Sequence, residues 1–114
     1  MEIYWYTDNL RKKLENKEFL GANFDKKVVK NIVKRLKDID SADTYAHLPI
    51  ASWKHFLEDS RSKVFTLDLP GIGERRGDKR LACRPYGEYD STRVETIRAV
   101  MILGIVNHQH KNII

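Results

Sequence analysis

The sequence predicts an α+β domain in which an N-terminal helical hairpin packs on one face of a small antiparallel sheet. Three observations point there. An apolar stripe at helical spacing lies in the first half of the chain. Two alternating segments and one near-continuous apolar run lie in the second half. Helices come early and strands late, as in layered α+β folds. The 114 residues, 41% apolar and 32% charged, have the length and composition of one globular domain, taken as residues 1–114.

The aromatic run Glu2 to Tyr6 reads as a first strand, bounded by Thr7-Asp8-Asn9. Thr7 or Asp8 is placed to cap a helix beginning near Asn9. Leu10, Leu14, Phe19 and Leu20 form its apolar side, and Gly21 is expected to end it. Phe24, Val28, Val29, Ile32, Val33, Leu36 and Ile39 mark a second helix that should stop near Ser41-Ala42-Asp43. Lys26, Lys27, Lys30, Lys34, Arg35 and Lys37 sit between them, a basic back that reads as a solvated or partner-docking face. Leu48-Pro49 marks a connection, and Trp53 to Leu57 a short extended piece. Lys63 to Leu69 alternates as a half-buried strand, and a long turn with three glycines, Pro70 to Asp78, follows. Arg80 to Arg84 alternates again until Pro85. Val94 to Asn107 is apolar on both faces and is expected to be a central strand. The sheet face away from the helices, carrying Arg80, Arg84 and Arg98, is expected to be open.

Several classes drop out early. The longest apolar run, Ala99 to Val106, is far shorter than a membrane span, so no membrane partner is expected. The first residues carry their charges after the apolar stretch, unlike a secretory signal. The single cysteine, Cys83, excludes an internal disulfide and a cysteine-based zinc site, and points to a cytoplasmic location. His108 and His110 lack an evident third ligand, so no metal and no cofactor are expected. Gly71, Gly73 and Gly77 precede a strand, with no Gly-Lys-Ser/Thr, so they are expected to form a flexible basic hairpin loop rather than a phosphate cradle. Cys83 falls on the apolar side of its strand, where a thiol is inert.

The charge is distributed unevenly. The chain carries a net charge of +5, and the stretch from Arg61 to Arg84 alone contributes +4. A basic surface of that kind favours polyanions. RNA cleavage through the ribose 2′-OH needs a group to take the 2′ proton, cations for the crowded phosphate and a donor for the leaving oxygen. Arg and Lys clamp phosphate, His moves protons and aromatic rings stack on bases. His55, Arg61, Lys63, Arg80, Arg84, Tyr86, His108 and His110 supply that set on neighbouring segments.

The order of these segments resembles the RelE/ParE toxin superfamily, most closely its HigB-like branch of bacterial type II toxin–antitoxin systems. The resemblance rests on Leu10 to Glu15, on Lys34 to Asp43 followed by Leu48-Pro49, and on His55 to Leu69. It continues through Arg80-Leu81 with Arg84-Pro85 and through Val94 to Ile105 before the histidines. It departs at Asp59-Ser60-Arg61, which lacks the family's glycine, and at the inserted Gly71-to-Gly77 loop. The resemblance implies a metal-independent mRNA endoribonuclease, working on mRNA and often on the ribosome, and a cognate antitoxin that masks the basic surface. It places Arg61, Lys63, Arg80 and one of His108 and His110 in the catalytic set, and Arg84, two turns of the pleat beyond Arg80 on the same segment, is expected to join them against the phosphate. His55, Arg75, Arg76, Lys79, Tyr86 and Arg98 are then expected to touch RNA. Some members of the superfamily inhibit DNA gyrase instead, and inactive antitoxin-binding copies are a further expectation.

Overall fold

The computed structural model describes residues 1–48, 54–56, 64–109 and 111–114; at 54–56 the backbone alone is described. Strand β1 (Glu2–Trp5) is followed by helices α1 (Asp8–Leu14), α2 (Lys17–Asn23) and α3 (Lys26–Ser41). Strands β2 (Lys54–Phe56), β3 (Phe65–Leu69), β4 (Lys79–Pro85) and β5 (Ala99–Asn107) complete the fold. The strands form one five-stranded sheet in the order β1-β5-β4-β3-β2. The fold is α+β, as expected, but the sheet is mixed rather than antiparallel: β1 runs parallel to β5, while the other pairs are antiparallel. Alternation tells which face a residue takes and not which strand lies beside it, so this pairing leaves no local trace.

The first helical segment is two helices rather than one. Asn16 accepts a hydrogen bond from the Phe19 N–H through its side chain and so starts α2, while Gly21 lies inside that helix. An Asn that satisfies a backbone donor itself competes with helix continuation and favours a fresh N-cap. Thr7 and Asp25 cap α1 and α3 in the same way, at 3.0 and 2.9 Å. Each such cap is worth about 1 kcal/mol.

Helix α3 buries a narrower stripe than its composition suggests. Val28, Ile32, Arg35 and Ile39 are its buried residues, while Val33 is exposed. Arg35 is thus not part of the basic back. Its Nε donates to the Asp68 carbonyl at 3.0 Å, and its guanidinium lies 3.5 Å from Asp38. Burial pulls its pKa down, and Asp38 and Asp68 act against that shift. The stripe packs with Phe65, Leu67, Leu69, Leu81, Cys83, Val100, Ile102 and Ile105 in one core.

The last strand begins at Ala99 rather than Val94. Val94–Thr96 forms a 3-10 turn because the preceding loop closes on itself: Asp90 N–H donates to Thr96 Oγ1 at 2.9 Å, and Thr92 N–H to Asp90 Oδ1 at 2.9 Å. Strand β5 lies between β1 and β4, a central position. A bulge shifts its register against β4, pairing Ala82 with Gly104 and Cys83 with Ile102. Gly104 adopts φ +144°, and a side chain there would run into the Ile114 carbonyl. After Asn107 the chain reverses and returns along the edge of β5 that β1 leaves uncovered, with Val106 bridged to Asn112. Among the described residues, no helix is long and apolar enough to cross a membrane.

The β3–β4 loop is pinned rather than loose. The Glu74 carboxylate accepts from the N–H groups of Gly71 and Asp78, at 2.9 and 3.1 Å, closing the loop across its base. Asp25 adds a bond from Ile72 N–H at 3.2 Å, Asn31 donates to the Pro70 carbonyl at 2.8 Å and Lys27 to the Glu74 carbonyl at 3.3 Å. Gly77, at φ +90°, has Pro70 Cα only 2.6 Å from where a Cβ would stand. Gly77→Ala is therefore expected to destabilise the protein by about 1–3 kcal/mol, read as a lower urea midpoint. A midpoint equal to that of the parent would show the loop to be tolerant.

Candidate RNA-binding face

Pairing across β3, β4 and β5 decides what shares a face. Leu67, Leu81 and Ile105 pair in one row on the core side, with Phe65, Cys83 and Ile102 in another. The intervening residues, Thr66 with Ala82 and Gly104, and Asp68 with Arg80 and Val106, belong to the second face. Beyond the bulge, Arg84 pairs with Met101 and Met101 with Tyr4 of β1. Arg80 and Arg84 therefore lie on one face, as expected. That face is open only in part. Thr66, Asp68 and Ala82 are buried, whereas Arg84, Tyr4 and Tyr86 are exposed.

The two arginines sit in different surroundings. The Arg80 side chain is 19% exposed, and its Nε lies 3.5 Å from Oδ1 of buried Asp68. That Nε is buried without an aligned hydrogen bond, so the pairing is one of charge. Arg84 has no carboxylate partner among the described residues, and its guanidinium donates to Met101 Sδ at 3.6 Å. An exposed guanidinium without an acid keeps most of its donors for a ligand.

One end of this face carries an acid–histidine pair. Lys79 and Asn107 are register partners, so Asp78 and His108 are the next residues outward on adjacent chain segments. His108 Nδ1 is hydrogen-bonded to Asp78 Oδ1, with both side chains about half exposed. The hydrogen bond to His108 holds the Asp78 carboxyl below its ordinary value. With Nδ1–H engaged by the carboxylate, Nε2 is an acceptor in neutral imidazole and a donor in imidazolium. Because the Asp78 pKa is lowered in the folded protein, the stability it contributes is present above the ordinary carboxylate range and is lost as pH falls through the lowered value. Asp78→Asn is expected to flatten that acid-side loss in a series of urea midpoints. A series as steep as the parent's would show that the pair does not stabilise the fold.

At the other end, Tyr4 and Tyr86 face each other with ring centroids 4.4 Å apart and planes tilted by 37°. Tyr4 donates its hydroxyl proton to Glu2 at 2.9 Å, which raises the phenol's pKa. Arg75, Arg76 and Arg98 are exposed, and Lys79 is half-buried. Arg75 and Arg76 project from the pinned β3–β4 loop beside the start of β4. His55 lies on β2 with its backbone opposite Thr66, and its side chain is outside the described residues. Arg61, Lys63 and His110 also lie outside the described residues.

Cys83 is fully buried in the core, and burial pushes its thiol pKa far up. Native protein is expected to resist a thiol reagent that labels the urea-unfolded chain at once; rapid labelling without denaturant would contradict the packing. Among the described residues, no three His, Cys, Asp or Glu side chains gather at metal-binding spacing. A cavity of about 190 Å³, lined by Tyr6, Lys13, Leu103 and Ile114 among others, contains none of the residues above. It is smaller than the usual cleft for an organic ligand.

The structure adds three partners to the residues that the sequence singles out: Asp78, Asp68 and Tyr4. The signal for Tyr4 was present, since alternation along β1 sets Glu2 and Tyr4 opposite Ile3 and Trp5. Asp78 becomes readable only once β4 and β5 are known to pair. Compared with known protein families, with curated proteins and with solved structures, the chain matches none.

Proposed function

We propose that this chain is the toxin of a bacterial type II toxin–antitoxin system and that it cuts mRNA through the ribose 2′-OH. The observation that carries the reading is the second sheet face, on which Arg80 and Arg84 lie with the Asp78–His108 pair at one end. The order of motifs resembling HigB-like toxins, and the α+β fold that displays them, support it.

In this reading His108, oriented by Asp78, moves the proton at the 2′ oxygen or at the leaving 5′ oxygen. The 2′ oxygen attacks phosphorus, the bond to the 5′ oxygen breaks, and a 2′,3′-cyclic phosphate and a 5′ hydroxyl result. Arg80 and Arg84 neutralise charge on the phosphates. They are four residues apart on β4, about 13 Å of strand, a spacing that suits different phosphates along a chain better than one shared phosphate. Arg61 and Lys63 complete the proposed cationic set, and Arg75 and Arg76 extend it along the loop. The antitoxin partner covers this basic face.

The test is induction of the chain in a bacterial host, with transcripts and plasmid topology followed together. The reading predicts rapid mRNA loss, fragments ending in cyclic phosphate and unchanged supercoiling. Intact transcripts with altered supercoiling would replace it by inhibition of gyrase. Growth without arrest, with capture of the neighbouring gene's product, would replace it by an inactive antitoxin-binding role.

A further inference from the structure

We propose that Tyr4 and Tyr86, in line with Arg84, form a stacking platform for an unpaired base of the RNA. This rests on the RNA-cleavage reading above and specifies the form of RNA taken, a single strand.

The platform is built by sheet register. Tyr4, Met101 and Arg84 are register partners across β1, β5 and β4, so their side chains lie in one row. Tyr86 continues the line of β4, its N–H donating to the Ala99 carbonyl at 2.9 Å, and Ala99 pairs with Glu2. Tyr86 thus stands one row from Tyr4. Between Tyr86 and Glu2 the sheet carries only the methyl group of Ala99, which leaves space for the two rings to lean together. The Glu2 carboxylate fixes the Tyr4 hydroxyl and with it the ring. Tyr4 is 41% exposed and Tyr86 39%, although both are large enough to be covered had the fold required it. With centroids 4.4 Å apart the two rings rest against each other and form one surface.

Two half-exposed aromatic rings beside a guanidinium without an acid partner among the described residues suit a ligand that is planar at one place and anionic at the next. A nucleotide within a strand has that form. A duplex hides its base faces, so the base must be unpaired. A strand is favoured over a free nucleotide because Arg80 lies farther along the same face, beyond the reach of one nucleotide held at Tyr4 and Arg84.

The test uses the full chain and a fluorescent oligoadenylate carrying 2′-O-methyl riboses, which cannot be cut, compared with the same backbone lacking bases. The wild-type protein is expected to bind the base-bearing strand about tenfold more tightly than the abasic one. The preference should vanish in the Tyr4→Leu/Tyr86→Leu double variant and return in Tyr4→Phe/Tyr86→Phe. Equal wild-type affinity for the two strands would overturn the platform, and that comparison needs no variant. A full preference surviving in the leucine variant would overturn it as well. If the wild type binds neither strand, the RNA reading itself fails and the platform with it, whereas binding without base preference leaves that reading intact.

Discussion

Arg84→Ala is expected to lower RNA cleavage by about 10²–10³-fold while leaving the protein folded. Arg84 is exposed and has no carboxylate partner among the described residues, so its loss strands no buried charge. Arg84→Lys keeps the charge but not the planar fork and should recover only part of the activity. Arg80→Ala should lower cleavage comparably, but with a second effect. Asp68 is buried, and it loses a cation 3.5 Å from its carboxylate. A buried carboxylate deprived of a partner is destabilising, so Arg80→Ala should also melt earlier than Arg84→Ala. Cleavage measured alongside thermal unfolding checks both claims. If Arg84→Ala cleaves like the parent, the catalytic face is misassigned.

The largest expected effect on stability is that of Phe65→Ala. Phe65 is fully buried at the start of β3, edge-on to Tyr45 with ring centroids 5.0 Å apart at 84°. Removing the ring should cost about 3–5 kcal/mol, a large share of a small domain's stability. The loss should appear in urea unfolding as a lower midpoint at nearly constant slope. Phe65→Leu retains most of the apolar volume and should lose much less. A small loss for the alanine variant would mean that the core collapses readily around the site.

These two expectations draw on parts of the molecule that were unequally legible. The α3 stripe could be read from spacing, because a helix repeats its buried face within four residues: Val28, Ile32 and Ile39 are buried as expected. Arg35 could not be read that way. A guanidinium enters a core only where acceptors wait, and one of its acceptors, the Asp68 carbonyl, belongs to a distant strand. Strands β3 and β4 were legible for the same reason as α3, since alternation is local. The parallel pairing of β1 with β5 was not, and Tyr4 was therefore never placed beside Arg84.

The candidate site divides along the same line. Arg80 and Arg84 were found by residue type and alternation, and the register puts them on one face. In the sequence Asp78 is one more polar residue in a glycine-rich turn. Its role appears only when β4 and β5 lie side by side and bring it to His108. The partial closure of the arginine face was also unreadable, because Thr66 and Asp68 are polar and alternation assigns polar residues to water. The loop between β3 and β4 looked flexible from its three glycines. Glu74 and Asp25, which pin it, act through backbone N–H groups that composition does not reveal.

The Asp78–His108 pair gives the central claim a direct chemical test. His108→Ala removes the proposed proton carrier, and Asp78→Asn keeps the imidazole but not the carboxylate that orients it. The decisive measurement is the mapping of mRNA ends in a translating extract supplied with purified wild-type protein, Arg84→Ala or His108→Ala. The account predicts new ends bearing 2′,3′-cyclic phosphate with the wild type and their near-complete loss with either variant. Full-length mRNA in the presence of folded wild-type protein would contradict it, as would the same new ends at the same rate with both variants.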